Sequence, residues 1–543
     1  MNAKIPQLRA GMPRLPSEIK TRTVIDLLHW NASQYPNRLA LVAESYNGPQ
    51  ARLTYEQLRW EIDRLADGLR QQGLQRGDNL ALLVPNSGGA ELILTVLAAM
   101  RIGVVPVPLN TRYAAVEQIY SINLLDCQGF VYASEFASMV EGMRQQLPHV
   151  NYYIEVGREL QGSAMSWTEI QRNGNPASGE WPLLSEDDIA DIILTSGTTG
   201  HPKGVVLSHS NAIAAGVAVA GALGLVGTDV YQSGFPLFTS SGLHFNPMSI
   251  WYVGGTLVIE PRIDPRETLE RLGRERATVF ACVPSGYIFM LDCYDPDLHD
   301  LSQVRVFDYG GAAMGRDVIR QLKANFPHID LRHTYGMTEA SPSGTYLPGH
   351  LALDKLGSIG KAMPLNEVKV LRHDGSEVEP EEMGEICLRG PTIMRGYYGD
   401  PEATESVIRG NWLFSGDLGT VDKDGFLYFH DRSKDIIVRG GMNIGSMDVE
   451  NALHDHSDVK EVAVVAIPHP KLGEDLFAFI VPHAGRVPKI DALAEFLKDR
   501  LADYKIPRRV AIVGSLPRSP SGKILKKDLR TIAVERGEAE GWL

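Results

Sequence analysis

The sequence predicts an α/β protein: a large N-terminal domain of mixed and parallel sheets flanked by helices, and a small α+β domain at the C-terminus. Three observations carry that expectation. The chain has 543 residues, more than one hydrophobic core usually supports. From Leu80 onward, apolar runs of strand length alternate with segments of helical periodicity, which implies right-handed crossovers and a parallel sheet. After Val459 that alternation stops, and short strands surround a single helix.

The elements follow in order. Thr54-Tyr-Glu-Gln57 reads as a capping box. Leu58, Ile62, Leu65, Ala66 and Leu69 then recur at helical spacing, and Gly73 suits the position after the helix. Leu80–Val84 is expected as a strand, Ala90–Met100 as a helix and Val104–Leu109 as the next strand. Residues 157–184 are polar and irregular and are expected as a connecting loop. Thr256–Ile259, Val279–Val283 and Val304–Tyr309 read as further strands, with a helix-like segment ending at Tyr252. The C-terminal strands are expected at Glu461–Ile467, Leu476–Val481 and Arg509–Val513, around a helix near Ile490–Leu501.

One stretch carries unusual chemistry. Thr195-Ser196-Gly197-Thr198-Thr199-Gly200-His201-Pro202-Lys203-Gly204 lies between two apolar runs of strand length. Its glycines let the backbone turn tightly and bring N–H groups to a ligand. Its hydroxyls add neutral donors, and Lys203 adds a positive charge. These are the parts of an anion nest for a polyphosphate. It is not a Walker A loop, because the lysine comes three residues after Gly200 and is followed by glycine. Further on, Val304–Tyr309 ends in Gly310-Gly311-Ala312, where a flat ring could approach the backbone beyond a strand's carboxyl end. Thr334-Tyr335-Gly336-Met337-Thr338-Glu339 follows, with an aromatic side chain and a carboxylate close together in the chain. Ser415-Gly416-Asp417, the stretch His430–Asp435, Gly440-Gly441 and the frame Pro517-Arg518-Ser519-Pro520-Ser521-Gly522-Lys523-Ile524 complete the series.

In this order, the motifs resemble those of the adenylate-forming superfamily, and within it the AMP-forming acyl- and aryl-CoA synthetases, over about residues 23–530. The resemblance implies two domains, residues 1–433 binding ATP and the acid and residues 434–543 forming a mobile lid with its hinge at Lys434. It implies ATP and Mg²⁺, with CoA as co-substrate. It assigns ATP or AMP binding to Thr195, Ser196, Gly197, Thr198, Thr199, Gly200, Lys203, Gly310, Gly311, Ala312, Thr334, Tyr335, Gly336, Asp417 and Arg432. Thr338 would contact the α-phosphate, and Thr198 and Glu339 would hold the metal. Lys523 would be the catalytic lysine of the first half-reaction, and Gly440 and Gly441 would line the CoA tunnel. The acid pocket is expected from Thr239, Ser241, His244 and Tyr287, with Ala312 and Thr334. Two departures stand out: Thr239 occupies the place of a common histidine, and Gly445-Ser446 replaces the family's Tyr-Pro.

The implied function is an ATP-dependent carboxylic acid–CoA ligase acting on a fatty or aromatic acid through an acyl-AMP. The alternative is a stand-alone adenylation enzyme that loads an acyl or peptidyl carrier protein. A luciferase-like oxygenase and a non-catalytic nucleotide-binding module are weaker fits. The net charge of −13 argues against broad nucleic-acid binding. The most apolar region, residues 80–109, is interrupted by prolines and charges and is not a membrane span. The first 23 residues lack an apolar core and do not read as a secretory signal. Four scattered cysteines fit a reducing, cytoplasmic setting. His454-Asp455-His456 lacks a third ligand at metal spacing, and neither H-E-x-x-H nor G-x-S-x-G occurs. The expected partner is a small-molecule carboxylic acid, and a homodimer is compatible with the sequence.

Overall fold

The computed structural model describes residues 4–7, 9, 11–157, 160, 164–177, 181–196, 202–312, 314–432, 436–439, 442–469, 472–498, 500–518 and 524–539. Its backbone is a 14-stranded mixed sheet. The middle is parallel: Asp330–Tyr335, Val306–Gly310, Val279–Cys282, Val230–Ser233, Thr256–Ile259 and Leu39–Ala43 lie side by side in one direction. Most positions in these strands are buried, and Thr256–Ile259, Val279–Cys282 and Val306–Gly310 are buried throughout, as a parallel sheet covered on both faces requires. Beyond Asp330–Tyr335 the sheet turns antiparallel through Thr345–Leu347, Ser358–Ala362, Leu427–Arg432, Trp412–Val421, Gly384–Arg389 and Glu367–Leu371.

A second sheet, of five parallel strands, contains Asn79–Leu83 between Val105–Pro108 and Cys127–Ala133. The helix Gly89–Arg101 provides the expected crossover. Thr54 and Gln57 form the capping box of the helix Tyr55–Gln71, and Gly73 follows it at φ +105°. A third, three-stranded sheet pairs Ile189–Ser196 with Pro202–Ser208, and the latter with Gly396–Tyr397. The stretch 195–204 thus joins two antiparallel strands.

The smaller C-terminal domain is built on a five-stranded sheet of Met442–Ile444, Ile437–Arg439, Gly473–Pro482, Val459–His469 and Arg509–Ile512. The helices Ser446–His454, Ile490–Lys498 and Lys526–Ala539 accompany it.

The expected loop over residues 157–184 is corrected in part. It contains the short strand Met165–Ser166 and the helix Trp167–Asn173. The Ser166 hydroxyl accepts the Glu169 N–H at 3.3 Å. Trp167 is buried and donates its indole N–H to Thr95 Oγ1 at 2.8 Å. A Cβ on Gly68 would stand 2.2 Å from the Ile170 carbonyl oxygen. Glycine at that position therefore lets the helix lie directly on Tyr55–Gln71.

Candidate active site

Two parallel strands, Val306–Gly310 and Asp330–Tyr335, end side by side with Gly310 opposite Thr334. A Cβ on Gly310 would come within 2.7 Å of the Thr334 carbonyl oxygen, so a side chain there would force the strand ends apart. Gly311 follows at φ +76°, a conformation that glycine adopts without strain. The Thr334 hydroxyl donates to Asp308 Oδ1 at 2.9 Å. Asp308 is buried, and its carboxyl is pushed up to about 7 by burial, an effect that the Thr334 hydroxyl opposes. Gly336 is packed so closely that a Cβ would lie 1.7 Å from the Pro342 carbonyl oxygen.

Beyond the strand end, Thr338–Ala340 forms a short 3₁₀ turn. Thr338 Oγ1 lies 2.9 Å from Ser240 Oγ, which ties the turn to the segment 235–245. Glu339 is 8% exposed, and its Oε1 accepts the Tyr397 hydroxyl at 2.8 Å. The Met394 N–H donates to the Glu339 carbonyl at 2.8 Å. Burial, reinforced by the Glu339 charge, holds the Tyr397 phenol far above its ordinary range, so it remains a donor at neutral pH. On the same ring, Lys203 Nζ lies 4.9 Å from the centroid, and it approaches Asp400 Oδ2 to 4.0 Å. One tyrosine therefore touches both the lysine of the 195–204 stretch and the acid of the 334–339 stretch. It is held there because Gly396–Tyr397 pairs with Val205 and Val206.

A second contact lies on the antiparallel side. The Tyr335 hydroxyl donates to Asp417 Oδ2 at 2.7 Å, and the Phe429 ring lies 6.4 Å from the Tyr335 ring. Asp417 is 6% exposed. The strand register places position 432 opposite it.

The expected acid-pocket residues fall in different places. The Thr239 hydroxyl donates to the Pro236 carbonyl at 2.7 Å and accepts the Gly242 N–H at 3.2 Å, capping the turn that follows. Ser241 opens a π-helical turn, Ser241–Phe245, a form enriched at functional sites. His244 lies inside that turn and is 1% exposed; its Nε2 is 2.6 Å from Asp191 Oδ2, and the Asp191 side chain is also buried. Asp191 belongs to the strand that runs into the 195–204 stretch. Tyr287 is not brought to the cleft. It is wholly buried among Phe280 and Phe307, with its hydroxyl within 3.0 Å of the Phe280 carbonyl and 2.8 Å of the Asp308 carbonyl.

Gly197, Thr198, Thr199, Gly200, Lys434, Gly440, Gly441 and Lys523 lie outside the described residues, as do the side chains of Ser196 and Arg432. Among the described residues, no cluster of three or more His, Cys, Asp or Glu is placed to hold a metal ion. Nor is any helix there long and apolar enough to cross a membrane. Sequence reasoning missed Tyr397 and Asp191. The signal available for Asp191 was a carboxylate inside an apolar run.

Comparison with known proteins identifies the family. The profile described as AMP-binding enzyme matches residues 28–398, and that of the AMP-binding enzyme C-terminal domain matches residues 448–523. The feruloyl-CoA synthase of an Amycolatopsis species is 34% identical over 481 residues, covering 88% of this chain and 93% of that protein. The crystal structure of the anthranilate CoA ligase AuaEII in complex with anthranoyl-AMP superposes with a TM-score of 0.86 at 26% identity, covering 95% of this chain and 98% of that one. The o-succinylbenzoate CoA synthetase MenE of Bacillus subtilis, in complex with ATP and magnesium ion, gives 0.80 at 29% identity, covering 93% and 98%.

Proposed function

The chain belongs to the AMP-binding enzyme family and is an acid–CoA ligase of it, and we propose that it activates a neutral fatty or aromatic carboxylic acid in two half-reactions. In the first, the acid's carboxylate attacks the α-phosphorus of ATP, the bond to the bridging oxygen breaks, and pyrophosphate leaves. In the second, the thiolate of CoA attacks the acyl carbon of the mixed anhydride, the acyl carbon–oxygen bond to the phosphate breaks, and AMP leaves as the thioester forms. The observation that carries this reading is the convergence of Lys203 and Glu339 on Tyr397. It sets one positive and one negative group of two distant stretches around one point, as a phosphate–metal site needs.

The residues present fit Mg²⁺. Tyr397 engages Oε1 of a nearly buried Glu339 carboxylate, and Mg²⁺ is bound through one or two carboxylates plus substrate phosphates. Glu339, with Thr198, would hold it, and it would neutralise charge on the pyrophosphate. Lys203 serves the same end by positioning and electrostatics. Tyr335 would face adenine, and Asp417 would take the ribose hydroxyls, assisted by Arg432. Lys523 would supply positive charge as the α-phosphate gains negative charge. Residues 1–433 and 434–543 would form the two moving parts, with Gly440 and Gly441 admitting CoA.

Thr239, Ser241, Ala312 and Thr334 carry no charge, and His244 is already paired with Asp191, which favours a neutral tail on the acid. A relative solved with anthranoyl-AMP and one named for ferulate support the aromatic side of this class. The test is AMP release with ATP, CoA and a panel of fatty, cinnamic and benzoic acids. Acid- and CoA-dependent release is expected. Release that requires a carrier protein in place of CoA would favour the carrier-loading alternative, and none with any acid would overturn the reading.

A further inference from the structure

Ser446, one of the two departures from the family pattern, lies inside a chain of alternating charges in which Asp431 and Glu450 are buried and Lys526 is partly buried. Asp431, near the end of the strand Leu427–Arg432, is 2% exposed. Its Oδ2 accepts the Ser446 N–H at 2.7 Å and the Ser446 hydroxyl as well. The Lys526 ammonium donates to Ser446 Oγ and pairs with Glu450 Oε1 at 2.8 Å. Glu450 Oε1 in turn accepts the Val464 N–H at 2.7 Å. Lys526 opens the C-terminal helix, three residues after Lys523.

The order of these groups along the chain gives the network its meaning. Asp431 precedes position 434, whereas Ser446, Glu450 and Lys526 follow it. A rotation about position 434 carries the last three away from Asp431, so the Asp431–Ser446 bonds belong to one orientation of the smaller domain. In the structure, that domain turns one particular side to the larger one. Lys460 reaches Asp292 at 3.8 Å, and a Cβ on Gly315 would stand 3.8 Å from His454 Nδ1. Next to Lys460, Glu461 pairs with Arg518 at 3.0 Å, at the edge of the Lys523 stretch. By contrast, Val438 and Met442, which flank Gly440 and Gly441, are 42% and 46% exposed. Capping the helix Ser446–His454 needs one acceptor and does not need a lysine from another helix.

We propose that Asp431, Ser446 and Lys526 form a latch that holds the smaller domain in the orientation of the adenylation step, with Ser446 as a positioning residue. This rests on the two-step ligase reading above. Releasing the latch removes hydrogen bonds to charged groups from one orientation only, which shifts the balance of orientations by about tenfold.

The experiment measures the half-reactions separately in the full chain: acid-dependent exchange of pyrophosphate into ATP, and transfer from pre-made acyl-AMP to CoA. Ser446→Ala is expected to lower exchange about tenfold while transfer is unchanged or faster, and Ser446→Thr is expected to restore exchange. Lys526→Gln is expected to show the same split and decides the matter if Ser446→Ala does not fold. A common fall in both half-reactions, no change in either, or no rescue by threonine overturns the latch. A wild-type chain without acid-dependent exchange overturns the ligase reading, and the latch with it. A wild-type chain that exchanges, with variants that do not split, sinks the latch alone.

Discussion

Tyr397 donates its hydroxyl to Glu339 Oε1 at 2.8 Å across 58 residues of chain, while its ring faces Lys203 Nζ at 4.9 Å. The phenol therefore fixes the rotamer of the carboxylate assigned to the metal. Tyr397→Phe keeps the ring over Lys203 and removes only the hydrogen bond. A hydrogen bond to a charged group contributes about 1.5–3 kcal/mol, so kcat/KM for Mg·ATP should fall roughly ten- to a hundredfold. The Mg²⁺ concentration for half-maximal rate should rise with it. An unchanged Mg²⁺ dependence would show that Glu339 does not need Tyr397.

Asp308 makes stability depend on pH. Its ordinary carboxyl value of 3.8 is raised to about 7 by burial. Between those values the folded chain holds a proton that the unfolded chain has released. The pH derivative of unfolding free energy follows protons bound when unfolded minus protons bound when folded, so here it is negative. Stability from this group is full below about pH 4 and is lost as pH rises to about 7, by up to about 4 kcal/mol. Asp308→Asn has no such dependence. Urea unfolding of both proteins at pH 5, 6 and 7.5 should show the variant gaining on the wild type as pH rises. Parallel profiles would place the ionisation elsewhere.

Much of this molecule was legible because its signals are local. The helix Tyr55–Gln71 carried its capping box and periodicity in sequence. The strands around the 195–204 stretch were apolar runs bounded by turn residues. The features that were missed depend on distant pairing. Tyr397 reaches Glu339 only because a two-residue strand joins Pro202–Ser208 at the edge of a small sheet, and two residues show no periodicity. The helix Trp167–Asn173 is seven residues long with Trp167 and Ile170 buried, too few to separate it from a loop. Tyr287 was read as pocket because an aromatic after Pro284 fits a pocket wall or a core equally well. The cluster with Phe280 and Phe307 settles its place in the core.

The lysine at position 523 is expected to serve the first half-reaction alone. Lys523→Ala should lower acid-dependent pyrophosphate exchange by roughly a hundredfold or more, the scale of removing one electrostatic stabiliser of a transition state. Thioester formation from pre-made acyl-AMP should survive. Equal loss in both assays would remove Lys523 from the role assigned to it.

Lys434→Pro tests the hinge directly. The first step needs Lys523 in the cleft, and the second needs Gly440 and Gly441 there instead. In the structure, Lys460 and His454 meet the larger domain, while Val438 and Met442 are exposed, and this is the orientation that the proposed latch assigns to the first step. A hinge is a residue that absorbs a large change in φ and ψ between two such states. Proline holds φ near −65° and has no N–H, so position 434 would keep one backbone conformation. Adenylation should then proceed near the wild-type rate if the retained conformation is that of the first step, and acyl-CoA formation should fall steeply. The measurement is acyl-AMP accumulation beside acyl-CoA release in a single time course. Acyl-CoA released at the wild-type rate would mean that the rotation is taken up at another residue, and the latch through Asp431 and Ser446 would then have to be mapped from that point.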